Sequence, residues 1–88
     1  MLGEDLDWAK NEAHYEAEHY VITVLQSHDE RDEKLVEKLD KLVSYWSYIF
    51  EDDSLLLTFI EEFNKKVPDF CKINEEQKAK YIKQTDLF

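Results

Sequence analysis

Between Leu35 and Phe50 the apolar residues Leu35, Leu39, Leu42, Trp46 and Ile49 follow one another at spacings of four, three, four and three. Val36, Val43 and Phe50 recur every seven residues beside them. This is the pattern of an amphipathic helix whose apolar face is wider than a two-stranded seam requires. Such a helix must be covered from more than one side, so the flanking segments are expected to lie against it as further helices. The chain has 88 residues, enough for one small domain that buries roughly 60 to 65% of its unfolded surface. With five Phe, five Tyr and two Trp, and only a single Gly and a single Pro, the chain reads as neither disordered nor turn-rich.

The remaining segments read as helices of the same kind. Leu6, Ala9, Ala13, Ala17, Tyr20 and Val24 keep helical spacing and predict a first helix over residues 5–26, with Asp5 and Asp7 in its first turn. Tyr20 to Val24 is rich in β-branched residues that would suit a strand, but no second strand is visible to pair with it. Ser27 or Asp29 is the expected cap of a second helix over residues 29–51. The polar stretch from Glu51 to Ser54 predicts a short loop with three candidate caps, followed by a third helix over residues 54–67 carrying Leu56, Phe59 or Ile60, Phe63 and Val67, which Pro68 ends. Phe70 and Ile73 are expected to return to the core. Asn74 followed by Gln77 has capping-box spacing and predicts a fourth helix over residues 75–83. The expected architecture is all-α, a three- to four-helix up-and-down bundle over residues 1–83 with a short tail over residues 84–88.

Charge narrows the classes of partner. The net charge of −10 opposes contact with a phosphate backbone, so no direct nucleic-acid binding is expected. Residues 1–33 hold ten acids and two bases, residues 34–62 seven and three, and residues 63–88 four and six. Glu4, Asp5, Asp7, Glu12, Glu16 and Glu18 therefore form a candidate face for a basic protein partner, as in an acidic inhibitor or immunity-type protein, or a nucleic-acid mimic. No apolar run is long enough to span a bilayer, and no export signal opens the chain, so a cytoplasmic protein without membrane contact is expected.

Chemistry finds little support in the residue types. Glu16 and His19 have the spacing of carboxylate-bridged metal sites, but no second such pair exists, and no metal is expected. His28-Asp29 resembles the metal-binding dipeptide of helical phosphohydrolases, whose further ligands need a much longer chain. Glu30, Glu33, Glu37 and Asp40 resemble the acidic pairs of helical nucleotide pyrophosphohydrolases, yet here they lie on one predicted helix and cannot face each other across an ion. Cys71 sits between core candidates with no base nearby and reads as a buried, inert thiol. One glycine makes no phosphate-cradling loop. A non-enzymatic protein without a cofactor is the expectation.

Tyr45 and Tyr48 fall away from the main apolar seam of the second helix. They either meet another helix or form an exposed binding patch or homodimer face.

The last five residues, Gln84-Thr85-Asp86-Leu87-Phe88, differ in kind from the rest. They resemble the short linear motif with which bacterial replication and repair proteins dock on the ring-shaped DNA sliding clamp: Gln, a variable position, Asp or Ser, Leu, Phe. Gln84, Asp86, Leu87 and Phe88 match, and Thr85 falls at the tolerant position. The resemblance implies that Leu87 and Phe88 fill an apolar pocket on the clamp while Gln84 hydrogen-bonds beside it. It covers five residues and implies a binding peptide rather than a domain family. A tail beyond the last helix cap can enter a pocket without disturbing the fold; the competing expectation is that Leu87 and Phe88 fold back as a lid on the core.

Overall fold

A computed structural model of the chain describes residues 2–27, 30–50 and 52–82, with the side chains of Leu2, Gly3, Glu4 and Leu25 outside that set. Four α-helices stand among the described residues: α1 (Leu2–His19), α2 (Glu33–Ile49), α3 (Asp53–Lys66) and α4 (Glu75–Tyr81). Among the same residues there is no strand. The protein is a small all-α bundle.

The direction of each helix follows from its cross-contacts. Trp46 of α2 reaches Glu16 and Lys38 reaches Tyr20, so α1 and α2 run antiparallel. Asp5 and Trp8 lie beside Asp52 and Leu55, whereas His14 meets Glu62, so α1 and α3 run parallel. Arg31, just ahead of α2, reaches Gln77 of α4 and Asp40 further along α2 meets Lys80, so α4 runs parallel to α2 and closes the up-and-down order.

α1 and α3 are the most extensively apposed pair. The cause lies in the sequence of α1, where Ala9, Ala13 and Ala17 are spaced by four and wholly buried. Small side chains along one line let α3 come close, and Phe59, Ile60 and Phe63 are buried in the same core as the three alanines. α2 covers the other side with Leu35, Leu39, Leu42, Val43 and Trp46. An aromatic chain joins the layers. Trp8 meets Phe50 edge-on at 4.9 Å, Phe50 stacks on Trp46 at 5.1 Å, Trp46 touches Phe59 at 5.3 Å, and Phe63 meets Tyr20 edge-on at 5.6 Å.

Two segments differ from the sequence expectation. The first helix keeps α geometry only to His19, then widens into a π-helical turn at Tyr20–Val24 and tightens into a 3-10 turn at Leu25–Ser27. β-branched side chains crowd the preceding turn of a helix, and the Thr23 hydroxyl donates to the His19 carbonyl at 2.6 Å, a local bond that draws the chain from regular geometry. The segment is thus helical as expected, but not α. α2 begins at Glu33, with Asp32 as its cap accepting from the Leu35 amide at 2.8 Å. Arg31 stays outside the helix because its guanidinium donates to the carbonyls of Phe70 and Lys72 and to Gln77 Oε1. The other ends lie close to the expected ones: α2 stops at Ile49, Asp52 caps α3, Val67 precedes Pro68 at its finish, and Asn74 and Gln77 form the capping box of α4, which ends at Tyr81. Ile73 is buried, while Phe70 and Ile49 are half-buried against the core.

Candidate protein-interaction surfaces

Gln84, Asp86, Leu87 and Phe88 lie outside the described residues, as do His28 and Asp29. The last described turn is that of α4. The amide of Ile82 donates to the Lys78 carbonyl there, and Tyr81 and Ile82 pack half-buried on the core.

The acidic residues of α1 do not share one face. At about 100° per residue, Asp5, Glu12 and Glu16 fall on the flank toward α2, whereas Asp7 and Glu18 fall on the opposite flank. Glu16 is half-buried and accepts from the Trp46 indole N–H at 2.9 Å, so part of its charge is used inside the fold. Glu12 is half-buried too; Asp5, Asp7 and Glu18 are exposed. His19 has the Thr23 hydroxyl 3.4 Å from Nε2. Among the described residues no three His, Cys, Asp or Glu side chains are grouped to hold a metal ion.

Two openings in the surface involve α1. At the far end of the helix, His14, Ala17, Glu18, Val21, Ile22 and Lys66 line an open groove of about 430 Å³. The π-helical turn turns Ile22 outward, 59% exposed, beside an exposed Val21. Glu62 is half-buried near this groove, and hydrogen bonds from Lys65 and then His14 hold its carboxyl below the usual range. At the other end, Asp5, Trp8, Ile49, Phe50, Asp52 and Leu55 line a slot of about 270 Å³. Phe50 and Leu55 are buried there, while Trp8 remains 41% exposed. The backbone N–H and hydroxyl of Ser54 hold Asp52 ionised below its ordinary pKa. On α2, Tyr45 and Tyr48 are exposed, Tyr48 by 84%, which places them among the surface residues.

Cys71 is buried, and burial pushes its thiol up to about 11, with nearby Arg31 pulling weakly the other way. The polar groups around it are structural. Gln77 Oε1 accepts from the Asn74 amide and Arg31, and its Nε2 donates to Asp40 Oδ1 at 3.0 Å, while Lys80 takes the other Asp40 oxygen at 3.1 Å. Asn64 holds Ile73 through both its amide N–H and its carbonyl. Among the described residues no buried side-chain nitrogen or oxygen lacks a partner. Asp40 is thereby tied into α4.

Sequence periodicity identified neither opening, because each depends on which helix ends meet. The signal for the slot was present all the same: residues 1–9 and 42–64 contain no Lys, Arg or His. No helix among the described residues is long and apolar enough to cross a membrane. Comparisons with family models, with curated proteins and with solved structures find no match to this chain.

Proposed function

We propose that the protein is a non-enzymatic, cytoplasmic interaction module that docks on the DNA sliding clamp through Gln84, Asp86, Leu87 and Phe88. Its output is to recruit a partner to the clamp or to occlude the site from other users. The observation that carries the reading is the match of four residues in Gln84-Thr85-Asp86-Leu87-Phe88 to the clamp-binding motif. Burying Leu87 and Phe88 contributes about 1.5 to 3 kcal/mol each. Gln84 adds about 1 kcal/mol, and ordering the peptide offsets part of the sum. The remainder corresponds to binding near the micromolar level, about −8 kcal/mol, or weaker.

The test is surface plasmon resonance of the full chain on a bacterial sliding clamp. Leu87→Ala combined with Phe88→Ala is expected to abolish binding while the melting temperature stays unchanged. A double variant that melts markedly lower, together with no clamp affinity in the natural chain, makes the two residues a core lid and ends this reading.

A second reading is favoured by the excess of acids in residues 1–33, with Asp5, Asp7 and Glu18 exposed. In it the protein is an acidic inhibitor of a basic effector. Such binding would survive loss of Leu87 and Phe88 and weaken with salt.

A further inference from the structure

The slot between α1 and α2–α3 combines an apolar floor with an acidic rim. Phe50 and Leu55 form the floor, Ile49 is half-buried at its side, and the Trp8 ring stands edge-on to Phe50 with much of its surface still open. Asp5 and Asp52 form the rim, both exposed. Helix starts at α1 and α3 bring about half a positive charge each to this end. Asp5, Asp7 and Asp52 outweigh them, and no base occurs in residues 1–9 or 42–64. At about 270 Å³ the slot is smaller than the roughly 300 to 1,000 Å³ of small-molecule sites. It has room for an inserted side chain.

We infer that this slot is the docking site for a basic protein segment that inserts one apolar side chain against Trp8, Phe50 and Leu55 while flanking Lys or Arg residues meet Asp5 and Asp52. Charge selects the occupant. A second copy of this chain meeting it with the same face would set Asp against Asp, and a nucleic acid would bring phosphates to an acidic rim. A cationic peptide gains from both parts of the site, and a half-exposed Trp over a closed apolar floor is the kind of anchor on which interface energy concentrates. The wider groove at Val21 and Ile22 is edged by Glu18, His14 and Lys66, so its charge selects no partner. The inference deepens the second reading above, a basic effector, and is independent of the tail motif.

The experiment is a nuclear magnetic resonance titration of the full chain with a short synthetic peptide carrying one Leu between Lys-Arg pairs. The same peptide with Ala in place of Leu serves as control. Saturable shifts are expected at residues 5–8 and 49–55, including the Trp8 indole N–H, with the Ala peptide about tenfold weaker or worse. Asp5→Lys, an exposed rim position outside the core, is expected to weaken the Leu peptide at least about tenfold with the helical circular dichroism unchanged, whereas Asp7→Lys on the opposite flank is expected to weaken it less. Shifts spread evenly over Glu12, Glu16, Glu18 and Glu37, with Leu and Ala peptides equal, would overturn the slot and leave a basic partner held by charge alone. No saturable binding of either peptide would overturn both.

Discussion

Tyr20 is the residue where packing and protonation are most tightly joined. Its ring closes the aromatic chain on Phe63, and its hydroxyl donates to the Lys38 carbonyl at 2.9 Å. Burial first, and the negative charge of Glu16 second, push its pKa up from 10.0 to about 12. A raised pKa means that the folded state favours the protonated phenol. The resulting stability is complete below pH 10 and is lost as pH rises through about 12. Cys71 acts with the same sign over a lower window, from its ordinary 9.0 to about 11. Urea midpoints measured from pH 9 to pH 12 should therefore fall with pH, and fall less in Tyr20→Phe, whose ring cannot ionise. Equal slopes in the two proteins would mean that the Tyr20 phenol is solvated. At this scale the sequence was legible where the partners are near in the chain: the Asn74–Gln77 capping box could be read from a spacing of three. It was opaque where they are far apart. Nothing local says that Arg31 will serve Phe70, Lys72 and Gln77, yet that set of bonds delays the start of α2 to Glu33.

Helices were legible through their periodicity, and their neighbours through the size of the side chains. The α2 stripe was read as central, and Leu35, Leu39, Leu42 and Trp46 are indeed buried. The alanines of α1 were read only as apolar positions; their smallness carries the more specific message that another helix comes close. Ala13 has no exposed surface and lies midway along the face that meets α3. Ala13→Leu adds three heavy atoms where the backbones leave no room, so a loss of about 1 to 3 kcal/mol or more is expected in chemical denaturation, although Leu and Ala differ little in helix propensity. A neutral result would contradict the apposition of α1 and α3. The β-branched run after Tyr20 shows the limit of periodicity in the other direction. It raised a strand as the alternative to a helix; the segment is helical, and local preference could not say that the outcome would be a π-helical turn.

Taken whole, the molecule carries a net charge of −10 within extents of 37 × 28 × 18 Å. At 10 mM salt the screening length is about 30 Å, so carboxylates across the whole bundle repel one another; at 150 mM it is about 8 Å and only near neighbours interact. Self-repulsion favours the expanded state, and salt should therefore raise the melting temperature at pH 7. The attractive pairs are screened as well, among them Lys65–Glu62, Lys72–Asp69 and Lys80–Asp40, but exposed pairs contribute little each and cannot reverse the sign. Near pH 4.6, where the sequence is isoelectric, the balance changes. Glu62 and Asp69, held below their ordinary values chiefly by Lys65 and Lys72, retain charge while other carboxyls take up protons. Net repulsion is then gone and the surviving pairs are attractive, so added salt should leave the melting temperature unchanged or lower it. Carboxyls of this kind contribute stability above their unfolded pKa and lose it as pH falls through the folded value, a small loss for exposed pairs such as Lys72–Asp69. Thermal melts at two salt concentrations and two pH values decide the matter: a salt effect of the same sign and size at pH 7 and pH 4.6 would show that the acidic excess is not what limits the stability of the bundle.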